Sequence, residues 1–541
     1  MLDENWTASA GITRRQVFAG AASLGGAALL AACSSSASPA NSPSGQASAA
    51  GKPVKGGKLI IGMDTAGTSE TINPAKAVNL SDFLRIAQLY DLLFDVGSDV
   101  STLVPKLALS AEHNSDATVW TLQLRDGVEW HDGKPFGADD VIWTLHTWAN
   151  PANNAHGQVA GLIDYKSIRK RGNLTVEIPL LAPTAQFPSL LTFAEQVIIP
   201  DGATTTQLSS KPNGTGPFKF VSFTPGVQSV FVKNSSYWEH GRPYLDQLVC
   251  NSSFTDDEAR NNALLSNSIN VEPFLSPLIA KTTVSSNGVT LKKSPSVIQY
   301  FFIMRVDQGP FADVRIRQAM KLVADRPALI EGSLAGYGTV ANDLMGVDTQ
   351  YYATDLPQRV QDIDQAKFLL KAAGAEDFSV TLPTCNALPG FDPSATLLAE
   401  QAAKAGIHIS VQQVPADTYY TAAGGFLKRP FCLDYGAPFQ SLTEAYRTFF
   451  TASAPFNETH WGDQSGGAAD WRLLNEAMAA TDPTKASDLW GEVQRQQYDQ
   501  GGFLVWANSD ALTAVASNVH GVSESEAGYV NSFNFNDAWI G

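Results

Sequence analysis

Three observations predict an α/β protein of more than one domain. Strand and helix periodicities alternate along the chain. Glycines stand where a helical pattern ends and a strand pattern begins, the arrangement of a sheet with covered faces. And 541 residues exceed the ~100–200 that one domain usually holds.

The first 32 residues read as an export signal. Thr13-Arg14-Arg15-Gln16-Val17-Phe18 resembles a twin-arginine motif. The apolar stretch Val17 to Ala32 is 16 residues long, short of the ~20 that span a bilayer. Leu30-Ala31-Ala32-Cys33 resembles a bacterial lipobox, in which a peptidase cuts before Cys33 and lipid chains anchor the new N-terminus. Stable anchoring needs two such chains. The alternative is an uncleaved anchor with an incidental cysteine. Residues 33–56 then form a lipid-anchored flexible linker. Ser, Ala, Pro, Asn and Gly fill 16 of the 17 positions from 34 to 50, a composition that buries no core. From Lys55 onward no segment approaches a membrane span.

Lys58 to Met63 is a short apolar run with strand character. Trp120, Leu122 and Leu124 alternate with polar residues, a half-buried strand. Turn dipeptides Asp126-Gly127 and Asp132-Gly133 follow. Val141, Leu145 and Trp148 then share a helical face. So do Ile316, Ala319, Met320 and Val323. Ala366, Leu369, Leu370 and Ala373 do the same, with Gly374 as a C-terminal cap. Ala395, Leu398, Ala399 and Ala402 lead to Gly406, after which Ile407, Ile409 and Val411 alternate as a strand. No internal repeat of fixed period is present.

Composition and motifs exclude several function classes. The formal charge is −16, which repels nucleic acid and argues against a polybasic membrane site. Four cysteines are too few for a disulfide scaffold. Cys250, Cys385 and Cys432 remain beside Cys33, and Cys385–Cys432 is left open as a disulfide or as free thiols. There is no G-x-S-x-G, H-E-x-x-H, P-loop or C-x-x-C. The eight histidines form no metal-spaced cluster, so no cofactor or metal is expected, and His131 is read as a turn residue.

Four separated blocks carry a resemblance. The first is Leu103-Val-Pro105-Lys-Leu107-Ala108, then Trp120 through Arg125, Gly127, Trp130-His131-Asp132-Gly133, Pro135, Ala138 and Asp140-Val141. The second is Gly214-Thr-Gly216-Pro217-Phe218-Lys219, with Asn234, Tyr237-Trp238 and Pro243-Tyr-Leu245-Asp246. The third is Pro310-Phe311-Ala-Asp313-Val-Arg315-Ile-Arg317-Gln-Ala319, with Ala324-Asp325-Arg326 and Gly336. The fourth runs from Asp364 to Gly374 and is followed by Gly406-Ile407. Together they resemble extracellular solute-binding protein family 5, which serves peptide and nickel ABC importers. Asn73-Pro74, Asn270 and Arg305 depart from that pattern and are read as bearing on ligand identity.

Most of these residues are expected to be structural. Gly127, Gly133 and Gly216 are assigned to turns. Trp120 and Trp130 are assigned to a core. Asp313 is expected to cap a helix, with Arg315 and Arg317 pairing with carboxylates.

The resemblance implies a two-lobed, periplasmic-binding-protein-like fold with an additional inserted subdomain. Lobe one would combine 57–78, 196–297 and 507–541, with an insertion at 79–195; lobe two would be 298–506. It implies ligand-backbone contacts at Val78, Asn79 and Leu80, in the manner of strand addition. It also implies a lobe-two aspartate for a peptide ammonium, and two registers compete. One assigns Asp434; the other, which keeps spacing better, puts Ser441 there and supplies no carboxylate. Tyr435, Phe439 and Trp506 are aromatic candidates for the cleft wall. The implied function is a lipid-anchored monomer on the outer face of the cytoplasmic membrane. It would bind a small solute, including an oligopeptide, for an ABC permease and its ATPase. A solute sensor without transport and an unrecognised secreted hydrolase are the alternatives.

Overall fold

The computed structural model describes residues 52–541 apart from 98, 284, 285, 287, 422–424, 437, 452–453, 462–470 and 525–532. The signal, Cys33 and the linker up to residue 51 lie outside the described residues. Among those described, no helix is long and apolar enough to cross a membrane.

Lys58–Asp64 is a strand with Leu59, Ile61 and Met63 buried. It pairs in parallel with Gln247–Phe254 and Val271–Pro273, so it sits inside a sheet, which explains its nearly unbroken apolar run. Among the described residues that sheet has nine strands. Eight run in the order Phe431–Gly436, Val289–Met304, Phe503–Ala516, Val271–Pro273, Lys58–Asp64, Gln247–Phe254, Gln228–Lys233 and Phe218–Thr224. Gly338–Val340 also pairs with Phe503–Ala516.

Two long antiparallel strands, Val289–Met304 and Phe503–Ala516, carry the sheet from one lobe into the other. Their register breaks twice. Between Ser294 and Ile298 the first strand holds extra residues, among them Pro295, which has no N–H for the ladder. Between Tyr300 and Phe301 the slip leaves Trp506 without an opposite residue. These are local bends in otherwise continuous strands, both on the crossing between lobes.

Residues 93–198 build a separate core. Ala108–His113, Val119–Leu124, Thr175–Pro179 and Arg169–Lys170 form a four-stranded sheet, against which Ala138–Trp148 packs. Trp120, Trp130, Val141, Leu145 and Trp148 are all buried in it, as their spacing requires. His131 sits in a turn, and its ring joins two motif blocks, with Nε2 3.0 Å from the Gly216 carbonyl.

In the second lobe, Phe378–Thr384, the helix Phe391–Ala403 and Ile407–Gln413 form a parallel strand–helix–strand unit. Gly374 ends the helix Ile363–Ala373 at φ 68°. Asp313 caps Val314–Val323 by accepting from the Arg315 N–H at 2.9 Å. Arg315 also pairs with Asp313. Arg317 differs from the expectation: its guanidinium donates to the carbonyls of Phe311 (2.7 Å) and Gln500 (2.6 Å), because the preceding turn Pro310–Ala312 and the C-terminal end of the helix Pro483–Gln500 supply acceptors there. Asp343, fully buried, holds Arg326 and Arg359, each at 2.7 Å.

Gly127 and Gly133 turn with φ of 75° and 84°. Gly216 does not use positive φ. It is glycine because a Cβ there would lie 2.6 Å from the Leu89 carbonyl carbon and 2.7 Å from the Tyr90 nitrogen. Cys250, Cys385 and Cys432 are buried free thiols, which closes the disulfide question against a Cys385–Cys432 bridge.

The inserted layer touches the second lobe through the helix Leu442–Phe449. Arg447 donates to the carbonyls of Gln158 (3.2 Å) and Ala160 (2.6 Å). Thr443 donates to Gln186 Oε1 (2.8 Å), and Ser441 Oγ lies 2.7 Å from Ser189 Oγ. The lobes are therefore in hydrogen-bonded contact across the cleft.

Candidate functional site

Beside that contact lies a cavity of about 190 Å³. One wall comes from the helix Leu80–Leu89 and the chain that follows it, through Leu80, Phe83, Tyr90, Asp91 and Asp95. Lys106, Glu195 and Phe533 extend that wall. The opposite wall is Tyr435, Pro438, Gln440 and Glu444, from the second lobe. Residues far apart in sequence meet here because Phe431–Gly436 is the sheet's edge strand and Leu442–Phe449 folds back over its end.

The first wall holds a satisfied acidic cluster. Asp91 accepts from Thr215 Oγ1 (2.8 Å), Trp238 Nε1 (3.0 Å) and the Tyr237 hydroxyl (3.1 Å). Burial nevertheless raises its carboxyl above the usual range. Asp95 is raised by burial too, against the pull of Lys106. Lys106 pairs with Glu239 at 2.8 Å. Burial disfavours its charge, but Asp95 and Glu239 outweigh that and hold the ammonium above its usual pKa.

Glu195 and Glu444 are different. Glu195 sits half-buried in the short helix Ala194–Gln196, and burial pushes its carboxyl up to about 7. Glu444 is 1% exposed. Burial raises its carboxyl well above normal, a bond from the Gln440 N–H (2.8 Å) opposes this, and Glu195 adds to it. Among the described residues, no ion pair joins a lysine or arginine to either. The buried hydroxyl of Tyr90 and the Oε1 of Gln440 also lack partners.

Of the residues the sequence singled out, the structure brings Leu80 and Tyr435 to the cavity. Val78 is 67% exposed outside it. Asn79 is the N-cap of Leu80–Leu89, and its carbonyl already accepts from Asp82 (2.9 Å) and Phe83 (3.1 Å). Asp434 points to the face of its strand opposite Tyr435, as strand alternation demands. There it accepts from the Tyr420 hydroxyl (2.8 Å) and lies against Glu458. Burial lifts Asp434 to about 6, and burial together with the neighbouring Asp434 raises Glu458 well above the usual range. Ser441 caps Leu442–Phe449 at the lobe contact. Phe439 packs on Phe449, and Trp506 on Tyr300 and Phe302, inside the core. Cys33 lies outside the described residues.

The departures from the family pattern serve the fold. Asn73 caps the turn at Pro74–Lys76, Asn270 Oδ1 accepts from the Ile60 N–H (2.9 Å), and Arg305 pairs with Asp307 and the Leu427 carbonyl. None of the three lines the cavity. Among the described residues, no group of three or more His, Cys, Asp or Glu side chains is placed to hold a metal. Glu195 and Glu444 went unread in the sequence, since neither lies in a motif and 249 positions separate them.

Residues 102–429 match the model of "Bacterial extracellular solute-binding proteins, family 5 Middle". The chain is 25% identical over 491 residues to the dipeptide-binding protein of Escherichia coli K12, covering 84% of this chain and 90% of that one. It is 28% identical over 447 residues to the glutathione-binding protein GsiB of Pectobacterium atrosepticum, covering 78% and 85%. Its fold is similar to that of the oligopeptide-binding protein AppA of Bacillus subtilis, solved with a nonapeptide. There the TM-score is 0.74 at 21% identity, covering 91% of this chain and 100% of that one.

Proposed function

The chain belongs to the bacterial extracellular solute-binding proteins, family 5, and from that premise we propose that it captures a short peptide or another small polar solute between its lobes. Closure would be a hinge motion, and delivery would be to the permease and ATPase of an ABC importer. The family binds solutes and is not enzymatic. The observation that carries the reading is the cavity itself, walled by residues of both lobes.

Its volume favours a small ligand. About 190 Å³ exceeds the ~150 Å³ that takes a benzene-sized molecule but falls below the ~300–1,000 Å³ of clefts for drug-sized ones. A dipeptide or tripeptide suits that better than a nonapeptide. Leu80 and Tyr435 are proposed as wall residues. Asp434 acts on a ligand only if its pair with Glu458 opens, and Val78 and Asn79 only if the cleft extends past Leu80.

The lobe boundaries near 297/298 and 506/507 are supported by the two register breaks, and an insertion by the separate core from Leu93 to Ile198, whereas Leu84, Ile86, Leu89 and Tyr90 pack in the main core and do not support a start at 79. The tether and Cys33 would hold the monomer at the outer face of the cytoplasmic membrane.

A thermal-shift screen tests the reading. Short peptides, glutathione, nickel–histidine and sugars are compared, and a ligand of the folded state raises the melting temperature by mass action. A rise with di- or tripeptides is expected. A rise confined to another solute class refutes the peptide assignment, and no rise with any solute refutes the binding function.

A further inference from the structure

Phe431–Gly436 is an edge strand, so its ladder with Val289–Met304 holds only one of its sides. Side chains hold the other. The Tyr419 hydroxyl donates to the Leu433 carbonyl (2.7 Å) and accepts from the Leu433 N–H (3.2 Å). Asp434, 3% exposed, accepts from the Tyr420 hydroxyl (2.8 Å) and lies against Glu458, 4% exposed. The segment that carries Glu458 is itself fixed, because the Thr459 carbonyl accepts from the Val306 N–H (2.9 Å). Ionised carboxylates are acceptors only, so hydrogen-bonded contact between two of them requires at least one proton. Glu458 Oε2 is buried and receives no donor, an orphan that a proton on this glutamate turns into a donor.

We propose that Asp434 and Glu458 form a proton-held clasp that fixes the free side of this strand, and with it the Tyr435 wall of the cavity, and that lets go as pH rises. The inference goes beyond solute capture and holds whatever the solute is. Cys432 and Tyr435 flank Asp434 on its own strand. Tyr419, Tyr420, Cys385 and Arg429 face the pair from neighbouring segments, and Arg305 acts on Cys432. Arg429 is the cation that pulls on both acids, while its guanidinium lies 4.0 Å from the centre of the Tyr419 ring and donates to the Tyr419 carbonyl (2.8 Å). Burial overrides that pull and raises both carboxyls. A raised carboxyl holds its proton more tightly folded than unfolded. The stability it adds is complete below the ordinary carboxylate range of ~4 and is lost as pH climbs through the raised values. Above them, two buried like charges push the strand and the Glu458 segment apart.

Hydrogen exchange read by mass spectrometry tests this on the full mature chain without ligand, at about pH 5.5 and about pH 8.5. Protection, corrected for intrinsic exchange, is taken for Phe431–Gly436 relative to the distant strand Lys58–Asp64. One proton shifts an equilibrium by up to about tenfold per pH unit, so the wild-type ratio should fall by about tenfold or more. In E458Q the amide donates to Asp434 at every pH, and the fall should be less than about twofold. Should E458Q fail to fold by circular dichroism, D434N carries the same test, its amide donating to Glu458. A wild-type ratio equal at the two pH values overturns the clasp. So does a fall of equal size in wild type and variant, which places the titrating group elsewhere. None of these outcomes bears on solute capture, which the thermal-shift screen judges separately.

Discussion

Replacing Arg447 with alanine should weaken solute binding without touching the solute. Arg447 does not line the cavity. It latches the second lobe to the inserted layer through the carbonyls of Gln158 and Ala160. On the proposed hinge motion, opening the cleft would break both bonds, so the arginine would stabilise only the closed form. A hydrogen bond to a charged group contributes ~1.5–3 kcal/mol. Two bonds do not give twice that here, because closure also strips water from the guanidinium. Burial draws its pKa down to about 10, which records that cost. A net loss of ~1.5–3 kcal/mol from the closing equilibrium is about 10- to 150-fold in apparent affinity, provided that the empty protein is mostly open. Calorimetry with the short peptide giving the largest thermal shift measures this, and small-angle scattering should show less compaction on adding it. The dissociation rate should rise more than the association rate falls. Arg447→Lys should recover part of the loss, since lysine keeps the charge but not the forked geometry. If R447A binds within about twofold of wild type while melting at the same temperature, the latch argument is wrong.

Other expectations follow from single contacts. Asp343→Ala should cost ~3–5 kcal/mol, because it strands buried Arg326 and Arg359 together; urea denaturation measures it, and a midpoint unchanged from wild type would count against the buried pairs. Gly216→Ala should cost ~1–3 kcal/mol and also weaken binding. The new Cβ meets backbone of Leu89 and Tyr90, and Tyr90 lines the cavity. A chain beginning after Cys33 should titrate three thiols with a disulfide reagent in denaturant and none when folded, since all three are buried. One thiol instead would mean a Cys385–Cys432 bridge. Cys33→Ala should release the protein from membranes into the medium, and unchanged retention in cell fractionation would remove the lipid anchor.

What the sequence disclosed is what local periodicity and turn chemistry control. Trp120, Leu122 and Leu124 could be assigned to a buried face because strand alternation is a property of neighbours. Gly374 and Asp313 could be assigned to caps because a helix end makes demands within one turn. Pairings set by tertiary approach were not available in the same way. Gly216 looks like a turn glycine, and only the passing backbone at Leu89 and Tyr90 shows that it is a close-approach glycine. Arg317 looks like half of an ion pair, yet its partners are carbonyls, one in the preceding turn and one at the end of a distant helix. Asp434 and Tyr435 are adjacent on one strand, and which of the two faces the cavity depends on which side of the strand the other lobe covers. The motif blocks sit mostly at turns, caps and cores, so they identify the scaffold while the cavity's acids lie between them.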